Sequence, residues 1–268
     1  MSDLLIVTIL GIVQGLTEFV PVSSTGHMIL VEEFLGSQTF NKGFFDTFLV
    51  VVQLPSILAV IVYFWNDINP FVKEKEVFKE KMILWSKIVV GVLPAAVFGL
   101  LLDDIISGYL SGVQIIAAML ILYGAVFVVM EKLIGKGKKV EKMSGVSYKL
   151  AVAVGFFQCL AMVPGTSRSG ATIVGGLLLG LSRAVAAEFS FFLAIPTMFG
   201  ATLLRLLKHG LTFTPEEWKL TLVGCVVSFV VSYVVIKWFM AYLKKRDFKL
   251  FGIYRILVGI LVFLSIYY

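Results

Sequence analysis

The chain has 268 residues, 59% hydrophobic and 15% charged, and its mean hydropathy of +0.98 excludes a soluble domain, which would have to expose far too much apolar surface. The formal net charge of +6 would suit nucleic acid. However, the basic residues cluster in short segments between apolar runs, so the charge belongs to membrane loops and excludes a nucleic-acid face.

The first apolar run, residues 4–18, has no basic n-region and no small-residue cleavage site, so it reads as part of the mature fold and not as a signal peptide. As a helix it reaches about 20 Å, too short to cross about 30 Å of hydrocarbon. It runs into a polar motif, Gly11-Ile-Val-Gln14-Gly-Leu-Thr-Glu18-Phe-Val-Pro21-Val-Ser-Ser24-Thr-Gly-His27. A second short helix is expected over 24–34, with Glu32 and Glu33 interfacial at its end. Three spans follow, at about 44–65, 83–102 and 111–130. Then another short apolar run meets a second motif, Gly155-Phe-Phe-Gln158-Cys-Leu-Ala-Met-Val-Pro164-Gly-Thr-Ser-Arg168-Ser-Gly, about 140 residues after the first. Three more spans close the chain, at about 187–207, 219–242 and 250–267. Trp65, Trp85, Trp218 and Trp238 fall near span ends, where amphipathic rings sit. Cys159 and Cys225 lie in apolar segments and read as small hydrophobes, and His209 reads as an interfacial residue of the loop 208–218.

The two motifs share Gly, Gln, Leu and Pro in register with one gap, and Leu54-Pro55-Ser56 matches Ile195-Pro196-Thr197, so the chain reads as a duplicated unit. Repeat 1 covers about 1–131, with a hairpin over 1–35, and repeat 2 covers about 150–268, with a hairpin over 150–182. Lysine and arginine concentrate at 73–81, 132–149 and 244–249. The positive-inside rule makes those loops cytoplasmic and puts both termini outside. The short broken segments must then dip in and return, one from each side, giving an all-α membrane protein with six spans and two re-entrant hairpins in an inverted repeat.

Each hairpin tip carries a proline followed by good N-cap residues, Ser23-Ser24-Thr25 and Thr166-Ser167-Arg168-Ser169. Free amides and two helix-dipole ends meeting in one cavity make an anion site, with phosphate the obvious guest. Glu18 and Arg168 need partners inside a bilayer, and simple mutual pairing is the plain structural reading. His27, Ser24, Ser167 and Thr172 go beyond what an ion pair needs. Gln14 lies one turn before Glu18 and presents oxygen beside it, an arrangement that suits a hard cation such as Mg²⁺, with Ca²⁺ the alternative. A histidine on an apolar helix is commonly a core residue, but His27 follows Ser24 by three positions, the spacing at which it can activate a serine nucleophile.

With both motifs on the page, the chain closely resembles the bacterial undecaprenyl-diphosphate phosphatases of the BacA/UppP family. The resemblance rests on the stretch from Gln14 to His27 together with Pro164-Gly-Thr-Ser-Arg-Ser-Gly-Ala-Thr172, and it extends over the whole chain. It implies removal of the terminal phosphate of undecaprenyl diphosphate, which recycles the lipid carrier of cell-wall synthesis and confers bacitracin resistance when the protein is abundant. It also implies a site opening to the outer face of the bacterial plasma membrane. Carried over by motif position, the functional residues are Glu18, Ser24, His27, Ser167, Arg168 and Thr172, with Ser23, Thr25 and Ser169 as phosphate contacts and Glu18 with Gln14 toward a divalent cation. Many members have glutamate where this chain has Gln14. The expected partners are the diphosphate lipid and the bilayer, with a homodimer left open and no nucleic acid. The rival readings are an inverted-repeat transporter or flippase of a polyprenyl phosphate, and the other class of membrane lipid phosphatases, which needs a second histidine next to aspartate that His209 does not supply.

Overall fold

The computed structural model describes residues 2–35, 40, 42–109, 112–134, 139–209 and 213–265, and the side chains of Glu32, Glu33 and His209 lie outside the described residues. Helix α1 (Asp3–Thr17) and α2 (Ser24–Leu35) form the first hairpin. Next come α3 (Lys42–Val51), α4 (Gln53–Tyr63), the single turn α5 (Trp65–Ile68), α6 (Lys75–Tyr109) and α7 (Val113–Leu133). The second hairpin is α8 (Tyr148–Cys159) and α9 (Arg168–Leu178), followed by α10 (Arg183–His209), α11 (Pro215–Leu243) and α12 (Lys249–Ser265). Among the described residues the backbone is helical apart from turns and one isolated bridge between Val140 and Leu181.

Among the described residues five stretches are long and apolar enough to cross a membrane, Gly43–Tyr63, Lys75–Leu102, Val113–Lys132, Arg183–Leu204 and Pro215–Leu243, and the chain is a multi-pass membrane protein. The segment expected at 250–267 is α12, whose 17 residues reach about 25 Å. Two expected outlines change. The first span breaks at Val52, just before Pro55, into α3 and α4. Helix α6 starts eight residues before the expected apolar run, because the charged stretch Lys75–Lys81 is itself good helix sequence, and this leaves Trp85 well inside the helix, donating to the Ile68 carbonyl at 2.8 Å.

Packing interlaces the two halves of the chain. Helix α1 lies against α11 and α8 against α6, while α7 pairs with α12. Glycine makes these crossings close: a Cβ on Gly11 would stand 2.7 Å from the Gly224 carbonyl oxygen, and one on Gly155 would run into that of Gly91. Gly124 and Gly252 meet reciprocally, each facing the other's carbonyl oxygen, so α7 and α12 cross about a local pseudo-twofold axis. At the far end of α7, buried Glu131 accepts both Nε and the terminal nitrogen of Arg183 and also the Phe248 amide, tying α7, α10 and the start of α12. Helix α10 is the most enclosed of the long helices, and its Phe189, Phe191 and Phe192 pack in one cluster with Phe19, Phe64 and Phe239, roofing the hairpin tips.

Candidate active site

Both short hairpins turn in the same unusual way. An N-cap residue ordinarily has an extended backbone, but Ser23 and Ser167 both take φ of 75°, a left-handed value that costs a non-glycine residue on the order of 1 kcal/mol or more. Each serine still caps its helix: Ser23 Oγ accepts from the Gly26 amide at 3.4 Å and Ser167 Oγ from the Gly170 amide at 3.1 Å. The amides of Ser24, Thr25, Arg168 and Ser169 have no acceptor among the described residues. Two helix N-termini, each with a strained serine before it, therefore come together at the tips.

Glu18 sits where they meet, 6% exposed. One carboxylate oxygen accepts from Gln14 Nε2 at 3.0 Å and from Ser24 Oγ at 2.6 Å; the other accepts from Arg168 at 3.1 Å. Arg168 also donates to the Ser190 carbonyl at 2.9 Å, while its Nε is buried without a partner. Ser169 Oγ donates to the backbone carbonyl of Glu18 at 3.3 Å, and Thr172 is fully buried, bonded to Ser190 Oγ at 2.6 Å and to the Arg168 carbonyl at 2.9 Å. The structure thus joins Gln14, Glu18, Ser24, Arg168, Ser169 and Thr172 in one connected network, with Ser167 hydrogen-bonded to Ser169 at 3.1 Å.

His27 and Thr25 stand differently. The expected bond from His27 to the Ser24 hydroxyl is not formed among the described residues; the ring bonds through Nδ1 to the Ser23 carbonyl at 2.8 Å and through Nε2 to the Tyr254 hydroxyl at 2.7 Å. The reason lies in the left-handed turn at Ser23, which presents its carbonyl to the ring, while Ser24 is drawn to the carboxylate. Thr25 is exposed and its hydroxyl has no partner among the described residues.

Two contributors escaped the motif reading, both on α12. Tyr254 is one, and Arg255 is the other. Arg255 is fully buried and donates to the Pro21 carbonyl at 3.0 Å, to Gly165 at 2.8 Å, to Thr166 at 3.1 Å and to Met119 at 3.2 Å, so one guanidinium fastens both tips to α7. Tyr123 faces the same guanidinium carbon at 5.6 Å. The signal was present in the sequence, since an arginine inside an apolar span needs internal partners.

Among the described residues no three His, Cys, Asp or Glu side chains cluster as metal ligands, so the site offers a cation one carboxylate, Glu18, with the side-chain amide of Gln14 beside it, its nitrogen turned to that carboxylate in the resting site. That donor set fits a hard cation held mainly by phosphate oxygens.

The model of the family described as "Bacitracin resistance protein BacA" matches residues 7–261. The chain belongs to that family. Among BacA relatives, one from Fusobacterium nucleatum subsp. nucleatum called undecaprenyl-diphosphatase is 57% identical over 265 residues, spanning 97% of this chain and 100% of its own. One from Clostridioides difficile, called undecaprenyl-diphosphatase 1, is 56% identical over 256 residues, 95% of this chain and 93% of its own. An Enterococcus faecalis undecaprenyl-diphosphatase is 49% identical over 270 residues, 98% of this chain and 96% of its own. This BacA chain therefore matches 93 to 100% of the length of proteins whose names record a diphosphate substrate.

Proposed function

We infer that this chain is an undecaprenyl-diphosphatase, a membrane hydrolase that converts undecaprenyl diphosphate to undecaprenyl phosphate and inorganic phosphate and so recycles the cell-wall lipid carrier, with bacitracin resistance as the consequence of abundance. The observation that carries it is the Ser24–Glu18–Arg168 chain of contacts between two helix N-termini, in a chain 57% identical to a protein of that name. Terminal phosphoryl oxygens lie against the free amides of Ser24, Thr25, Arg168 and Ser169, with Ser23, Ser167 and Thr172 shaping the cradle. Ser24 Oγ attacks the terminal phosphorus, its proton passes to the Glu18 oxygen already 2.6 Å away, and the bond to the bridging oxygen breaks to release undecaprenyl phosphate. Water then attacks the phosphoserine with His27 taking its proton, the bond from phosphorus to Ser24 Oγ breaks to release inorganic phosphate, and Oγ recovers its proton from Glu18. Substrate competes for Arg168, so the guanidinium that pairs with Glu18 in the resting site turns toward phosphate during the reaction. Glu18 and Gln14 would hold Mg²⁺, or Ca²⁺, jointly with the diphosphate; the cation supplies positive charge against the charge that develops on the phosphoryl oxygens.

The layout that accompanies this reading has six spans and two hairpins, with residues 1–131 and 150–268 as inverted repeats. At 15 and 12 residues, α1 and α8 reach about 22 and 18 Å, less than a bilayer core, and the lysine-rich loops alternate. Both termini and the site's opening then face the outside of a bacterial plasma membrane.

Purified protein incubated with undecaprenyl diphosphate should release phosphate, and a preparation that binds the lipid without releasing phosphate would return the transporter reading. For topology, Lys142→Cys and Glu216→Cys, each in a Cys159- and Cys225-free background, should label from opposite faces of the cell. Labelling from one face would end the inverted-repeat layout.

A further inference from the structure

The hydrogen bonds of His27 fix its chemistry as well as its place. Nδ1 faces the Ser23 carbonyl oxygen, which can only accept, so Nδ1 carries the proton. In the neutral ring Nε2 then holds the lone pair, and Tyr254 caps it, its phenol donating across 2.7 Å. The two rings lie nearly parallel, 8° apart with centroids 5.6 Å from each other. The basic nitrogen of His27 is therefore held by a residue 227 positions away, outside both polar motifs.

The pseudo-symmetry of the chain says what kind of contact this is. The register that pairs Ser23 with Ser167 sets His27 against Ala171. The reciprocal crossing of Gly124 and Gly252 sets Tyr254 against Val126. Both members of the polar pair are thus apolar at the matching positions of the other half. A bond needed only to fasten a hairpin to its neighbouring helix would be needed in both halves. It occurs in the half whose hairpin carries Glu18 and Ser24, where Met162 and Arg168 stand at the matching positions of the other hairpin.

We propose that Tyr254 is a positioning residue for the phosphatase reaction: in the resting site its hydroxyl holds the His27 ring in one orientation beside the Ser24 tip, and Nε2 accepts the water's proton once the phenol has turned its own proton away. The proposal rests on the reading of His27 as part of the phosphatase site. Tyr254 acts through His27 and does not touch the diphosphate, so its loss acts on turnover and not on binding.

Tyr254→Phe keeps the ring and its stacking and removes the hydroxyl. It should lower kcat by about 2- to 12-fold, the effect of one neutral hydrogen bond, with KM and melting temperature near parental values. In a His27→Ala background the same change should add nothing, because two residues acting as a unit are non-additive. A direct readout comes from nitrogen NMR: in a His209→Gln background His27 is the one histidine, and its Nε2 resonance should move toward that of a free imine nitrogen in Tyr254→Phe while Nδ1 stays protonated. Parental kcat in Tyr254→Phe, full multiplication of the two losses, or an unmoved Nε2 resonance overturns the proposal. Parental turnover by His27→Ala overturns it through His27 itself, and the nitrogen shift then separates that failure from absence of the bond. Absence of phosphate release by the parent protein would instead remove the underlying phosphatase reading.

Discussion

Arg168→Lys separates a counter-charge from a phosphate clamp. The guanidinium spans two partners in the resting site, Glu18 at 3.1 Å and the Ser190 carbonyl at 2.9 Å, and keeps a buried Nε without a partner. A lysine ammonium restores the positive charge beside Glu18, but as a point donor it cannot hold Glu18, Ser190 and a phosphoryl oxygen in one plane. Loss of one charge-assisted hydrogen bond to the phosphoryl group, about 1.5 to 3 kcal/mol, corresponds to a fall of about 10- to 150-fold in kcat/KM. Loss of the bond from Arg168 to the Ser190 carbonyl, which keeps its helical partner inside α10, should in addition lower thermal stability by about 1 kcal/mol. The assay is phosphate release from the diphosphate lipid in detergent at saturating Mg²⁺, with melting followed in parallel. Near-parental kcat/KM for the lysine variant would reduce Arg168 to a counter-charge for Glu18 and refute the clamp.

Glu18→Gln should cut turnover by on the order of 10²-fold or more, and chelator should silence the parent until Mg²⁺ returns; hydrolysis that resists chelation removes the cation from the reaction. Arg255→Met strands the tip carbonyls of Pro21, Gly165 and Thr166, so it should destabilise the protein by at least about 2 kcal/mol, and an unchanged melting temperature would show that the tips hold without it. Gly155→Val should abolish folded yield because its side chain meets the Gly91 backbone, while Gly200→Ala, with nothing within 4 Å, should be neutral or stabilising by up to about 1 kcal/mol. Equal yields for the two would contradict the close crossing of α6 and α8.

The helices and most of the candidate site's hydrogen-bonded network were legible in the sequence because water-seeking residues inside apolar runs are conspicuous. Gln14, Glu18, Ser24 and Arg168 could be placed at broken helices before any geometry was known, and the network joins them. The turn geometry was not legible: a serine N-cap is ordinarily extended, so φ of 75° at Ser23 and Ser167 could not be read from residue type, and neither could the consequent turning of His27 away from Ser24. Arg255 was visible but lay inside a segment already counted as a span, and the composition of a span averages one charge away. Tyr254 and Ser190 join through contacts 227 and 18 to 22 residues long in sequence, which local pattern does not carry. The outlines of α6 and of the α3–α4 break moved because membrane-length windows measure apolar content, whereas helices end where backbone bonding ends.

The interlaced packing of α1 on α11 also sets a timetable for biogenesis. Helix α1 is complete at Thr17, but the surface that receives it begins at Pro215, about 200 residues later. At roughly 5 to 20 residues per second of synthesis, the first hairpin waits about 10 to 40 s for its partner. For about three-quarters of that interval Glu18 lacks Arg168, which is made about 150 residues after α1, and a helix of about 22 Å cannot settle across the bilayer alone. On the re-entrant layout proposed above, the hairpin spends its early life at the membrane surface and enters only once the second half has arrived. Insertion and assembly of the site are in that sense a single late event.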